Sequence, residues 1–163
     1  MQRRHWINFP CGREKQLIPG QISPTRDDAM KRIKIGNVIM CEFIAEGVNN
    51  KHTLVNTISG DLLISEFPVQ ISTAFYLEII PSETADIPID LSIFLGRRRI
   101  AGAQAVMPFE KGKTGIIALP NALIKVDAPS EVKVTISAEG SPSKTIFRKR
   151  ILHAQFDYTS SNA

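Results

Sequence analysis

Val69-Gln70-Ile71-Ser72-Thr73-Ala74-Phe75-Tyr76-Leu77-Glu78-Ile79 is the stretch on which the fold class of this chain turns. Val69, Ile71, Thr73, Phe75, Leu77 and Ile79 occupy alternate positions, and Gln70, Ser72, Ala74, Tyr76 and Glu78 stand between them. Successive side chains of an extended strand point to opposite faces, so a period of two sustained over this length means a strand with one buried face. Pro81 ends the run. Downstream, Ile87, Ile89, Leu91, Ile93 and Leu95 repeat the pattern against Asp90 and Ser92. Val132, Val134, Ile136 and Ala138 repeat it against Glu131, Lys133, Thr135 and Ser137. Upstream, Ile33, Ile35, Ile39, Cys41 and Phe43 read as one face of a first strand, with Asn37 as its polar intruder.

Turn chemistry separates these runs. Gly47 with Asn49 and Asn50, Gly60-Asp61, Gly96-Arg97, Lys111-Gly112 and Gly140-Ser141 supply the residues that hairpins and tight turns need. Pro88 comes early in its run, so its missing N–H is expected to point off a sheet edge or to fall at the strand start. Ile100 to Met107 reads as a strand of small residues, where Ala101, Gly102, Ala103 and Ala105 leave room for a bulky neighbour. Thr145 to Leu152 is the last strand. One helical turn is allowed near Ala118 to Ile124, and no longer helical periodicity occurs. Short strands with turns at intervals of about 8–12 residues predict an all-β fold, an antiparallel β-sandwich of about seven or eight strands.

A chain of 163 residues is expected to form one domain. Residues 30–156 carry the β pattern. Residues 1–29 form an N-terminal tail, loosely structured or foreign to the native protein, since Met30 followed by Lys31-Arg32-Ile33-Lys34 reads as a start in its own right. Trp6 and Phe9 are the tail's candidates for a protein-interaction anchor, because loosely structured tails are poor in aromatics. Residues 157–163 are a polar C-terminal tail. No apolar run approaches the roughly 18 residues of a membrane span. No secretory signal follows Arg3 and Arg4. A cytoplasmic protein is expected.

The residues that carry chemistry are scattered. His5, His52 and His153 have no second ligand at the spacing zinc sites use. Asp61, Asp86 and Asp90 form no Asp-x-Asp pair for calcium. Cys11 lies in the tail, and Cys41 lies in an apolar run where it reads as a small core residue. No serine sits in a Gly-x-Ser-x-Gly elbow. The Glu110 to Thr114 turn lacks the leading glycine and following helix of a phosphate loop. Neither catalytic residues nor a metal or other cofactor are expected. Two basic clusters stand out, Arg97-Arg98-Arg99 in a hairpin turn and Arg148-Lys149-Arg150 in the last strand. Their bland role is solubility and the protection of sheet edges by charge. Their sharper role is to bind an anion.

From Asn37 to Pro81 the chain resembles a family of small uncharacterised bacterial all-β proteins, a domain of unknown function. The resemblance rests on Thr53-Leu54-Val55-Asn56-Thr57-Ile58-Ser59-Gly60-Asp61-Leu62-Leu63-Ile64 followed by Phe67-Pro68, and it extends over roughly residues 31–152. Family members often carry acidic residues after the first strand, where this chain has only Glu42. The resemblance implies an immunoglobulin-like or C2-like sandwich and no activity.

The functional expectation is therefore a non-catalytic interaction module that binds another protein or self-associates, through sheet edges or the Trp6/Phe9 tail. The alternative is an anionic ligand, nucleic acid or an acidic membrane surface, held by Arg97, Arg98, Arg99, Arg148, Lys149 and Arg150. The modest net charge of +4 does not by itself point to nucleic acid.

Overall fold

The computed structural model describes residues 29–48 and 51–154. His5, Trp6, Phe9, Cys11, residues 49 and 50 of the first hairpin turn and the polar tail at 157–163 lie outside the described residues. A single 3-10 turn, Ala29–Lys31, precedes nine strands: β1 (Ile33–Glu46), β2 (His52–Thr57), β3 (Leu62–Ile64), β4 (Val69–Pro81), β5 (Ala85–Leu95), β6 (Arg98–Phe109), β7 (Gly115–Val126), β8 (Ser130–Ala138) and β9 (Lys144–His153). They form two sheets, ordered β2-β1-β4-β7 and β3-β9-β8-β5-β6. Every pairing is antiparallel except β3 with β9, which run parallel.

The alternating runs place the core. Phe75, Leu77 and Ile79 of β4 face Ile87, Ile89, Leu91 and Ile93 of β5 and Val132, Val134 and Ile136 of β8, all at most 4% exposed. Burying each such side chain contributes about 1.5–3 kcal/mol, so these three strands hold most of the driving force. Phe75 also meets Phe147 of β9 edge-to-face at 5.8 Å between ring centroids, which ties one sheet to the other. At one end Arg32 bonds Glu83, after β4, and Glu139, after β8, the latter at 2.5 Å. These partners raise the guanidinium's pKa, the hydrogen bond to Glu83 contributing most.

Four local expectations need correction. In β1, a bulge between Ile35 and Val38 inserts a residue against β4. Ile33 and Ile35 face the core, and beyond the bulge Val38 and Met40 take over. Ile39, Cys41 and Phe43 do not share a face with Ile33. Cys41 is buried, but in a second cluster with Ile44 and Ala74, and Phe43 is 44% exposed. In β7 there is no helical turn. The strand runs through Pro120, and the ladder with β4 shifts register between Thr73 and Phe75, where Pro120 and Asn121 fall. A proline fits there because β7 is an edge strand and the site is a bulge.

Pro88 does not mark an edge strand. β5 lies between β6 and β8, and Pro88, its fourth residue, falls within the pairing with β6 and one residue before pairing with β8 begins at Ile89↔Ala138. Of the small residues of β6, Gly102 does make room for a bulky neighbour, the guanidinium of Arg99, whereas Ala103 and Ala105 meet none among the described residues. Gly102 to Val106 are all exposed.

Candidate functional site

β6 is twelve residues long and closes one side of the five-stranded sheet. The direction of its backbone groups follows from its neighbours. The carbonyl of Pro88 accepts from Glu139 N–H, and Gly96 N–H donates to the carbonyl of Glu131. Even-numbered residues of β5 therefore direct their polar groups toward β8, and odd-numbered ones toward β6. The register Ile87↔Met107, Ile89↔Ala105, Leu91↔Ala103 and Ile93↔Ala101 commits the odd-numbered residues of β6 to β5. Gly102, Gln104 and Val106 consequently point their N–H and C=O groups away from the sheet. No backbone partner meets them among the described residues. Pro108 has the same parity, so its missing N–H marks where the open row ends. At the other end the ladder shifts between Ile93 and Phe94, leaving Ile100 as the bulged residue.

From Ala103 to Val106 both faces of this edge are exposed. Ala103 and Ala105 project to the core side, as their partners Leu91 and Ile89 do, yet both are exposed, because β6 overhangs the four-stranded sheet. On the opposite face Gln104 and Val106, the latter 62% exposed, border a shallow groove of about 510 Å³ completed by Pro88, Asp90, Ser137 and Glu139. The groove's polar groups are largely spent on one another. Gln104 Nε2 donates to Asp90 at 2.6 Å, and Glu139 Oε1 is held by Arg32, while its Oε2 is buried without a partner. A smaller gap of about 140 Å³ opens between the start of β6 and the end of β7, with Ile100 and Ala101 on one side and Ala122 and Leu123 on the other. Leu123 is 74% exposed.

In sequence, charge brackets the edge; in space, Arg99 and Asp90 reach its outer face at Gly102 and Gln104. Ile100 to Phe109 contains no charged residue. Arg97 and Arg98 stand before it, and Lys111 and Lys113 after it. Among the described residues Arg97, Arg98 and Lys111 make no ion pair, whereas Lys113 pairs with Glu110 at 2.8 Å. Arg99 folds back over Gly102 toward Asp90, 3.9 Å away. A Cβ at position 102 would collide with that guanidinium and come within 2.9 Å of the Leu91 carbonyl, which is why glycine stands there.

The second basic cluster is largely neutralised. Arg150 binds Asp61 at 2.6 Å, Lys149 donates to the Ile58 carbonyl at 2.7 Å, and Arg148 lies 3.7 Å from Glu131. Arg150 lowers the carboxyl pKa of Asp61, and Asp61 raises that of Arg150. The register does bring members of both clusters into one row across the sheet: Arg99↔Phe94, Phe94↔Lys133, Lys133↔Arg148. Lys133 Nζ sits 4.9 Å from the centroid of the Phe94 ring.

The remaining candidates offer less. Cys41 Sγ contacts the carbonyls of Phe43 and Ala74 at 3.4 and 3.8 Å, and burial pushes the thiol pKa up, away from a reactive thiolate. His52 packs edge-to-face on Tyr76 at 5.6 Å, with a buried Nδ1 that has no partner. His153 lies exposed at the end of β9 against Phe67. Among the described residues no three His, Cys, Asp or Glu side chains gather as a metal site, and no helix is long and apolar enough to cross a membrane.

Sequence reasoning reached the basic turn but missed the edge beside it. Its signals were present: an uncharged run from Ile100 to Phe109, closed by Pro108. No protein-family model matches the chain, and no curated protein matches it.

Proposed function

We propose that the protein is a non-catalytic interaction module that takes up an extended segment of another protein as an added strand on β6. The observation behind this reading is the row of outward N–H and C=O groups at Gly102, Gln104 and Val106. An added strand satisfies such a row through main-chain hydrogen bonds, and side chains at alternate positions supply selectivity. Native sheets usually blunt an edge of this length with mid-strand charge, proline or a covering element, and between Ile100 and Phe109 only the terminal Pro108 does so. The test is a selection of displayed random decapeptides on the full chain, with Gln104→Pro as the counter-screen. That variant deletes an outward N–H while leaving the bonds to β5 in place. Peptides that bind the native protein and not the variant are expected. A selection that yields none, or only peptides indifferent to Gln104→Pro, contradicts the reading.

A second reading is favoured by the row Arg99, Phe94, Lys133 and Arg148, where an aromatic ring lies among cations on one face. That combination suits a phosphate backbone with a stacked base. Against it stand Asp90, Glu131 and Asp61 on or beside the same residues. Binding of single-stranded oligonucleotide that falls steeply with salt, and is lost in the Lys133→Glu/Arg148→Glu variant, is what this reading requires.

A further inference from the structure

We propose that the segment taken up by β6 is an acid-flanked strand of a different protein, with an uncharged centre and bulky apolar side chains on its core-side positions. The inference rests on the edge-addition reading above and adds the chemistry of the partner. The edge itself is neutral from Ile100 to Phe109, and cations stand at both of its ends. Arg97 and Arg98 at one end and Lys111 at the other have no ion-pair partner among the described residues. A segment lying along β6 in either direction brings its own ends beside these cations. Acidic residues about eight to ten positions apart span the open row and reach both sets, given a rise of about 3.3 Å per residue.

The same charges argue against a second copy of this chain as the occupant. Antiparallel pairing of β6 with itself sets Arg97 and Arg98 of one copy against Lys111 of the other, Lys113 being paired with Glu110, and Asp86, across from Pro108, offsets that repulsion only in part. Parallel pairing sets arginines against arginines. Flanking cations thus deter self-pairing while leaving the edge open to an acidic guest.

Shape fixes the centre. Ala101, Ala103 and Ala105 present only methyl groups on the core side of an overhanging strand. The gap beside Ala101 and Ala122 ends at the exposed Leu123. Large apolar side chains at alternate guest positions cover the alanines and fill that gap, extending the core by one strand. On the other face the guest lies beside Gln104 and Val106, where small polar residues suffice.

The experiment uses the full chain and three fluorescent peptides. Each has a centre of alternating valine and threonine over about eight positions, flanked by two aspartates, two serines or two lysines at each end. Anisotropy titrations at low salt are expected to show the aspartate-flanked probe binding at least about tenfold more tightly than the lysine-flanked one. Raising the salt narrows that gap. Arg98→Glu/Lys111→Glu should abolish the preference. Gln104→Pro, which changes no charge, should weaken the aspartate-flanked probe at least about tenfold, which separates edge binding from general attraction to a basic protein. Val106→Pro repeats the test at the next outward N–H should Gln104→Pro fail to fold. Equal affinity for all three probes overturns the inference. So does dimerisation of the chain itself through a contact that Gln104→Pro breaks. Selected decapeptides that depend on Gln104 but carry no excess of acids leave the edge reading standing and remove this one, whereas a selection that yields no Gln104-dependent peptide removes both.

Discussion

Gly115 shows how a single residue is fixed by what it touches. It opens β7 opposite Ile79, and a Cβ there would lie 2.5 Å from Cε1 of Phe109, a ring that is itself only 4% exposed. Gly115→Ala should therefore cost about 1–3 kcal/mol, read as a lower urea midpoint at unchanged slope. Phe109→Leu in the same chain should recover part of that loss, because the two positions share one volume. Asp61 is fixed by charge. Arg150 holds its carboxyl below the ordinary value of 3.8 in the folded chain. The stabilisation from a depressed carboxyl is present above the unfolded value and is lost as pH falls through the folded one. Stability should therefore fall less between about pH 4 and pH 2 in Asp61→Asn than in the native chain, by a small margin because the Arg150 side chain is 68% exposed. Urea midpoints across that range check it, and equal slopes in the two proteins would show that the pair contributes nothing. None of these contacts was legible beforehand. Phe109 stands near Gly115 in sequence, but only the hairpin between them brings the ring over the glycine, and Asp61 and Arg150 are 89 positions apart, a separation that no local pattern links.

At the level of the strand, legibility depended on regularity. β4, β5 and β8 keep a strict period of two through the core, so the alternation showed which side chains point inward. β1 was misread because the bulge after Ile35 exchanges its faces midway. Gly36 and Asn37 mark the site, where Asn37 donates to Glu78 at 2.6 Å. β7 was misread because Pro120 resembles a strand end and is instead a bulged residue in an edge. The parallel pairing of β3 with β9 joins residues too distant for any turn signal to reveal. β6 carries a prediction of its own. In the unliganded protein the amides of Ala101, Ala103, Ala105 and Met107 should exchange slowly with deuterated water, and those of Gly102, Gln104 and Val106 rapidly. Residue-resolved exchange by NMR distinguishes the two sets. Protection of the even-numbered amides in a monomer would mean that some other part of the chain already covers the edge.

The whole molecule is a sandwich of unequal sheets, and that inequality makes the candidate site. A four-stranded layer does not cover all of a five-stranded one, and β6 is left with both faces exposed from Ala103 to Val106 and one row of backbone groups open. The fold class could be read from the sequence because it depends on alternation and turn spacing. The site could not, because it depends on which strand lies last in its sheet, and strand order follows from packing between distant runs. The basic residues illustrate the difference. Arg97 to Arg99 and Arg148 to Arg150 are conspicuous in the sequence, yet the structure engages Arg99, Arg148, Lys149 and Arg150 within the fold and leaves Arg97 and Arg98, at the end of β6, with no ion pair among the described residues.

Strand addition on β6 is tested by an NMR titration of the full chain with the aspartate-flanked strand peptide, following each backbone amide. Such addition should shift the resonances of Gly102, Gln104 and Val106 together and protect these amides from exchange, with Gln104→Pro abolishing the response. Shifts that leave β6 untouched and gather instead on Phe94, Lys133 and Arg148 would contradict it.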